Sequence, residues 1–217
     1  ALFVGEDAPE LEESEALATH ILNRLDQSKV LITQGIVDHL DHSSSEQFVG
    51  GKLGVDATGD EVEEGVKALI SDKKLLAKMQ EISKRVVGLK QYMTETKTPV
   101  CVISVDKKKS QLKLIKKLKA LKNHIKLLVI VDHTNNDLTD PYMLIWRVVN
   151  NIDASRDVVL EPFIAIDATN KSEVDGYERE WPGDTFCTKE VLDALQEKGI
   201  IDIDEAFIKK FGLLPFK

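Results

Sequence analysis

Residues 99–131 read PVCVISVDKKKSQLKLIKKLKALKNHIKLLVIV, and this stretch decides the fold. The apolar runs 99–105 and 126–131 are rich in β-branched residues, and the lysine-rich segment 107–123 between them has leucines at helical spacing. A strand, a helix and a second strand therefore follow one another. Because continuous apolar strands that alternate with helices are typical of a parallel sheet covered on both faces, the stretch predicts an α/β protein.

The flanking sequence continues this alternation in both directions. Apolar spacing and capping residues predict, in chain order, a strand at 2–4, a helix at 12–25, a strand at 30–33, a helical connector at 60–93, a helix from Thr188 to 198, and a last short helix at 204–211. The predicted fold class is therefore α/β, with a mostly parallel sheet and helices on both faces.

The sequence also contains an internal repeat. A shift of 127 positions places Phe3-Val4 on Ile130-Val131, and 25–29 on 152–156. After a gap about sixteen residues longer in the first copy, Val55-Asp56-Ala57-Thr58 falls on Ile166-Asp167-Ala168-Thr169. We interpret this as a duplicated β-α-β unit, with two similar crossovers that arose independently as the alternative. The predicted division is residues 1–93, a first unit with the helical connector, and residues 94–217, a second unit with C-terminal helices; one continuous domain is the alternative.

Composition and charge limit the classes of function. The chain has 217 residues, 42% of them hydrophobic and 30% charged, as in ordinary globular proteins. A net charge of −8 argues against general binding to nucleic acid, and no uninterrupted apolar run is long enough to predict a membrane span. Two isolated cysteines, Cys101 and Cys187, favour a reduced, cytoplasmic setting.

The first residues, Ala1-Leu2-Phe3-Val4, lack an initiator methionine and lead directly into a predicted strand. A natural protein seldom begins within a strand, and the stretch has no signal or transit character. We therefore expect a fragment of a longer protein, natural or engineered.

Common catalytic and nucleotide-binding motifs, such as the glycine-rich dinucleotide loop and the Walker loop, are missing. Residues 38–42 offer two imidazoles and two carboxylates, which are ligand types that divalent metals accept. A solvated polar loop accounts for the same cluster better. We expect no metal site, and His39 and His42 stay minor candidates.

Nine lysines and no acidic residue lie between Lys107 and Lys126. A crossover helix with one solvated basic face explains this pattern. The alternative is attraction to a cofactor phosphate or to an acidic partner surface.

Polar residues follow the last predicted strand, at the edge of the sheet where α/β proteins gather ligands. Asp167 and Thr169 either bind a ligand there or cap a local turn. Lys171 and Arg179 have no evident local role, so we expect them to meet an anionic ligand or a neighbouring domain. The matching stretch of the first copy adds Lys52 and Asp56 as candidates.

A family resemblance rests on a series of motifs in the second copy. These are Val131-Asp132, the acidic turn and Trp-bearing segment 137–147, the "R-D-V" strand within 151–158, the "D-A-T-x-K" stretch 167–171, and "R-x-W-P" at 179–182. In order and spacing they resemble the C-terminal domain of the UbiD family over residues 126–184. The first copy is similar to the same pattern, but it lacks the tryptophan and the "R-x-W-P" element, and residues 133–135 of the second copy replace a more acidic turn.

The resemblance implies a non-oxidative decarboxylase of aromatic or unsaturated acids that uses prenylated FMN and a divalent metal, Mn²⁺, in quinone biosynthesis. The extended form resembles the branch associated with menaquinone synthesis. The family's catalytic residues and its flavin and metal ligands lie mainly in a preceding domain, so no catalytic residue and no cofactor are assigned to this chain. The implied partner is that N-terminal catalytic domain, within a homo-oligomer.

Three hypotheses for function follow. In the first, the chain is the assembly and active-site-closing part of such a decarboxylase and is inactive alone. In the second, it is a stand-alone oligomerisation module. In the third, it binds a small phosphorylated ligand through Lys171, Arg179 and the lysine-rich helix.

Overall fold

Two sheets and six α-helices form the protein, as seen in a computed structural model that describes residues 1–184 and 187–207. The smaller sheet has three strands in the order β1-β3-β2. Strand β1 (Leu2–Val4) is parallel to β3 (Val49–Ala57), and β2 (Val30–Ile36) is antiparallel to β3. Helix α1 (Ser14–Arg24) connects β1 to β2.

The larger sheet has five strands in the order β4-β5-β6-β8-β7. Its strands are β4 (Val86–Tyr92), β5 (Val100–Val105), β6 (Leu127–Asp132), β7 (Val158–Val159) and β8 (Ile164–Asp167). The central strands β5, β6 and β8 are parallel, whereas the edge strands β4 and β7 run antiparallel to their neighbours.

The remaining helices pack around this sheet or follow it. They are α2 (Asp72–Ile82), α3 (Leu112–Lys117), α4 (Pro141–Asn151), α5 (Ala154–Asp157) and α6 (Lys189–Glu197). Helix α6 follows Thr188, and Gly199 adopts a left-handed conformation just beyond it, as the capping pattern predicts.

Apolar layers cover both faces of the five-stranded sheet. On one face, Ile130 packs with Leu75 of α2 and Leu114 of α3; on the other, Val129 packs with Leu144 of α4. Successive residues of a strand point to opposite faces, so one strand contributes to both layers. Burial of each such side chain stabilises the fold by about 1.5–3 kcal/mol. The α/β class with helices on both faces is confirmed.

The repeat is visible in the strand register. Phe3 of β1 lies opposite Asp56 of β3, and the matching residues Ile130 and Asp167 lie opposite each other in β6 and β8. Helix α4 also begins and ends 127 positions after α1. We call β1, α1, β2 and β3 the first unit, and β6, α4, α5, β7 and β8 the second unit. The division at residues 93 and 94 stays a prediction.

Three features differ from the sequence predictions. Parallel pairing is less dominant than predicted, because each described sheet also has antiparallel pairs. The predicted helix at 60–93 is present only over Asp72–Ile82, and Val86–Tyr92 is a strand. The β-branched pair Val86-Val87 and Gly88 disfavour a helix there, although their apolar spacing continues the helical rhythm. The lysine-rich helix is shorter than predicted and ends in a 3-10 turn, Leu118–Leu121.

Two further predictions concern the chain's end and a membrane span. Residues 205–207 are helical, while 208–211, the rest of the predicted last helix, lie outside the described residues. Within the ranges 1–184 and 187–207, no helix is long and apolar enough to cross a membrane.

The environments of the two cysteines predict different reactivities. Cys101 is buried in β5, and burial raises the pKa of its thiol far above the ordinary value, whereas Cys187 is exposed. We expect a thiol reagent at pH 8 to modify Cys187 in the native protein and Cys101 only after denaturation. Mass spectrometry after timed labelling checks this, with Cys187→Ser as the control. Rapid labelling of Cys101 in the native Cys187→Ser variant would contradict its buried position in β5.

Candidate functional site

The candidate residues at the end of β8 form a tight turn. The Asp167 carboxylate accepts hydrogen bonds from Thr169 N (3.1 Å) and Thr169 Oγ1 (2.6 Å). The chain then brings Lys171 back beneath the turn, where Lys171 Nζ donates to the main-chain oxygens of Asp167 (2.6 Å) and Thr169 (2.7 Å). Asp167 and Thr169 therefore cap a turn, and Lys171 fastens it from inside.

Lys171 is also the centre of a buried ion cluster. Its side chain has 0% exposure, and Nζ lies 3.5 Å from Asp157 Oδ1 and 3.4 Å from Asp167 Oδ1. Arg156 Nε and Nη2 donate to the two oxygens of Asp157 at 2.9 and 2.7 Å. Two cations thus share the Asp157 carboxylate, which compensates for the removal of these charges from water.

Burial and pairing compete at Asp157 and Arg156. Burial raises the pKa of the Asp157 carboxyl, although the hydrogen bonds from Arg156 and the charge of Lys171 oppose that shift. Burial also disfavours the charge of Arg156, but the hydrogen bonds and the charge of Asp157 outweigh it and raise the pKa of Arg156. At Asp157 the effect of burial on the pKa exceeds the effect of pairing, because the Asp157 side chain is more deeply enclosed than that of Arg156. The Asp157 charge therefore depends on both cations.

A loop of the first unit lies on this cluster. We call residues 37–48, which connect β2 to β3, the docking loop. Arg156 Nη2 donates to Ser43 O (2.8 Å), and Arg156 Nη1 donates to Ser45 Oγ (3.0 Å). Arg179 Nη1 donates to Ser44 O (3.0 Å) and more weakly to Asp41 O (3.2 Å). These arginines use their fixed donor geometry to hold main-chain oxygens of the loop.

Aromatic rings enclose the same contact. Tyr177 is buried and donates from its hydroxyl to His42 O (2.6 Å). The Trp181 ring packs edge-on against the rings of His42 and Tyr177, with centroids 4.9 and 5.2 Å apart. Burial lowers the pKa of His42 and so favours its neutral form. The "R-x-W-P" stretch thus wraps the docking loop.

Close approach of the two units requires glycine at position 51. Gly51 N donates to Asp153 Oδ1 (3.0 Å), and the same oxygen accepts from Ser155 N (2.9 Å). A Cβ atom on Gly51 would lie 2.2 Å from Ser155 N and 2.3 Å from Asp153 Oδ1. No side chain fits there, so β3 and α5 approach each other with main chain against main chain.

The first unit repeats the turn without the buried cluster. The Asp56 carboxylate accepts from Thr58 N (2.9 Å) and Thr58 Oγ1 (2.6 Å), and these hydrogen bonds lower the pKa of Asp56. Lys29 Nζ donates to Thr58 O (3.1 Å), while Asp60 occupies the position that matches Lys171. A partly exposed lysine from another segment therefore fastens this turn.

Of the other candidates, Lys52 lies outside the cluster, whereas His39 and His42 belong to the docking loop. Lys52 is exposed on β3 and lines an open groove of about 690 Å³ between the docking loop and the end of α4. His39 stacks on Phe48 at 5.0 Å, whereas His42 packs on Trp181. Among residues 1–184 and 187–207, no three His, Cys, Asp or Glu side chains are grouped so that they could hold a metal.

Sequence reasoning named no role for several residues of the site. These are Gly51, Asp153, Arg156, Asp157 and Tyr177. One signal was available for Asp157: residues 26–30 of the first unit align with 153–158 of the second only if one residue is inserted, and Asp157 is that residue. The docking-loop partners of Arg156 and Tyr177 lie more than one hundred positions away along the chain, where no periodicity predicts them.

We expect Gly51→Ala to destabilise the protein by about 1–3 kcal/mol, because the new methyl group overlaps the main-chain nitrogen of Ser155 in α5 and the Asp153 carboxylate. Gly54→Ala in the same strand is the matched control, since its Cβ would meet Leu31 at an ordinary 3.4 Å. Urea unfolding of both variants at pH 7 measures the difference. Equal stabilities of the two variants would refute the close docking of β3 on α5.

Lys171→Met should cost about 3–5 kcal/mol of unfolding free energy, because it removes the buried cation beside Asp167, one of the two cations at Asp157 and the donor to two main-chain oxygens. Lys29→Met, at the lysine that fastens the first-unit turn, should cost less than about 1 kcal/mol, since its ion pair is partly solvated. Denaturant unfolding compares the two. A loss at Lys29 as large as at Lys171 would contradict the assignment of the buried cluster as the stronger contact.

With this geometry described, the chain can be compared with known proteins. The family model of the 3-octaprenyl-4-hydroxybenzoate carboxy-lyase C-terminal domain, UbiD_C, matches residues 68–194. The match begins just before α2 and continues into α6, so it includes all of the five-stranded sheet and the ion cluster.

Two curated relatives are proteins of Helicobacter pylori, from strains J99 and 26695, and both are described as uncharacterized. Each is 45% identical to this chain over 215 residues, which is 98% of the chain and 35% of the relative. The chain therefore spans about a third of the length of the curated relatives it matches.

Solved structures with similarity include an evolved dimeric form of the UbiD-class enzyme HmfF from Pelotomaculum thermopropionicum in complex with prFMN. It is 20% identical, covers 60% of this chain and 29% of its own, and has a TM-score of 0.43. Vanillic acid decarboxylase from Sedimentibacter hydroxybenzoicus in closed form is 14% identical, covers 70% and 40%, and has a TM-score of 0.45. Because the family model matches more than half of the sequence, the chain belongs to the UbiD carboxy-lyase family, of which it carries the C-terminal domain.

Proposed function

We propose that this chain is the assembly and active-site-closing part of a longer UbiD-type decarboxylase, and that it is inactive alone. The observation that carries the proposal is the match of residues 68–194 to the C-terminal domain of the family. The length of the relatives supports it, since they are nearly three times as long as the part that this chain matches.

The chemistry of the ion cluster fits a structural role. Lys171 is enclosed and its donors meet main-chain oxygens and carboxylates, while Arg179 holds the docking loop. A catalytic group must reach a substrate, whereas these groups reach other parts of the same chain. The cluster instead fixes the two units at one relative position, as a closing domain requires.

In this proposal the full-length enzyme uses prenylated FMN and Mn²⁺, which are held by the preceding domain. The UbiD-class structures named for HmfF contain prFMN in one case and FMN in another. The described residues of this chain do not fit a metal, because they lack a suitable group of ligands. Nor do the buried cations of the cluster fit a flavin phosphate, since their donors are occupied internally. We therefore derive no catalytic step from this chain.

The finer parts of the proposal concern the pathway and the assembly. We place the full-length enzyme in quinone biosynthesis, on the menaquinone branch, as a cytoplasmic homo-oligomer that acts on an aromatic acid. The stand-alone oligomerisation module and the phosphate-binding protein stay as alternatives. Lys107, at the start of the lysine-rich segment, is already paired with Asp175 at 2.6 Å. This pairing disfavours the phosphate-binding alternative, because it occupies a cation that would bind the phosphate.

The proposal is tested by the native product and its activity. A tag placed after Lys217 in the native cell should reveal a protein much heavier than the 24.3 kDa of this chain. The purified longer protein, supplied with prenylated FMN and Mn²⁺, should release CO₂ from a hydroxybenzoate-type acid, and this chain under the same conditions should not. The longer protein without the flavin serves as the control.

Two results would contradict the proposal. A native product of 24.3 kDa would show that the chain is not part of a longer enzyme. Decarboxylation by this chain alone would show that it contains an active site of its own.

A further inference from the structure

Two large apolar side chains lie uncovered on one face of the three-stranded sheet. Side chains alternate between faces along a strand, so Phe3 of β1, which lies opposite Asp56, shares a face with Gly54 of β3 and Leu31 of β2. The three form a diagonal row, because a Cβ atom on Gly54 would lie 3.4 Å from Leu31 and 3.7 Å from Phe3. The Phe3 side chain is 53% exposed and Leu31 is 57% exposed. Large apolar side chains grouped on a sheet face are typical of an interaction surface.

The second unit shows what covers the equivalent row. By the shared register, Phe3, Gly54 and Leu31 match Ile130, Ala165 and Val159. Ile130 and Ala165 are 0% exposed, because helices α2 and α3 pack on them and Val159 packs at the margin of the same core. The same position in the two units is therefore buried under helices in one and open in the other.

The edge strands differ in the same way. The outer edge of β6 is paired with β5, which runs parallel to it, with Ile103 opposite Ile130. In the described part of the chain, β1 pairs only with β3, so the corresponding edge of β1 has no strand beside it. An open edge exposes unpaired main-chain groups and is a ready site for strand addition.

The order of elements along the chain indicates which segment would cover this face and pair with β1. The strand β5 and the helix α3 come directly before the second unit in the chain, and they supply both the strand beside β6 and a covering helix. Parallel strands joined through a helix form a right-handed crossover that packs the helix on one face. A matching crossover for the first unit would come directly before β1.

We propose that a segment of the longer protein directly preceding Ala1 forms a strand parallel to β1 and an amphipathic helix over Phe3 and Leu31. This inference rests on the proposed function, because it requires the longer protein. The segment completes the first unit in the way that β5 and α3 complete the second. The face of Phe3 and Leu31 is thus an attachment point for the preceding part of the enzyme.

Accessibility of position 31 tests the proposal. Leu31→Cys is introduced together with Cys187→Ser, which removes the exposed native thiol and leaves the buried Cys101. Leu11→Cys is the matched control, since Leu11 is 78% exposed in the turn before α1. The rate of maleimide labelling is measured in this chain and in the longer protein, each at two protein concentrations, and expressed as the ratio of position 31 to position 11.

We expect the ratio to be at least tenfold lower in the longer protein than in this chain, at both concentrations. An unchanged ratio overturns the inference and leaves the proposed function intact, since that is tested by the mass and activity of the native product. Protection of position 31 that is lost on dilution also overturns the inference, because a second copy of the protein would then cover the face. Slower amide exchange at residues 2–4 in the longer protein would support the added strand, and unchanged exchange would exclude it.

Discussion

The buried ammonium group of Lys171 is the contact on which the relation of the two units depends. It holds two main-chain oxygens and two carboxylates at the end of β8. One of these carboxylates, Asp157, positions Arg156, which in turn binds the docking loop. Charges enclosed in this way are costly unless each is paired, so the cluster tolerates few alternative arrangements. A well-defined position of the first unit on the second follows from that constraint.

Duplication accounts for the similar architecture of the two units. They differ in the lysine that fastens the turn at the end of the last strand. Both end their last strand with the same Asp-x-Thr turn, in which the carboxylate accepts from the threonine main chain and hydroxyl. The cation that fastens the turn is the partly exposed Lys29 in the first unit and the enclosed Lys171 in the second. A partly solvated cation contributes little to the stability of such a turn, whereas an enclosed one fixes the positions of the groups that it contacts. The second unit thus provides the rigid base, and the first unit docks on it.

This division of roles agrees with the proposal that the chain closes over a separate catalytic part. Its polar groups are directed to internal contacts, while the apolar row of Phe3 and Leu31 and the open edge of β1 face outward. Interior polar networks give a fixed shape, and apolar surface provides the driving force for association. In the described part of the chain, an enclosed polar network therefore lies beside an exposed apolar row.

The sequence by itself determined the α/β class, most strands, the repeat and the family, because apolar periodicity and local motifs are properties of neighbouring residues. It misassigned Val86–Tyr92, since Val86, Leu89 and Met93 continue the helical spacing of the preceding residues although the segment forms a strand. The tertiary structure alone decided that Lys171 is enclosed, that Gly51 must lack a side chain, and that Arg156 and Tyr177 hold the docking loop. These roles depend on contacts between residues far apart in the chain, and such contacts exist only once the two units are packed together.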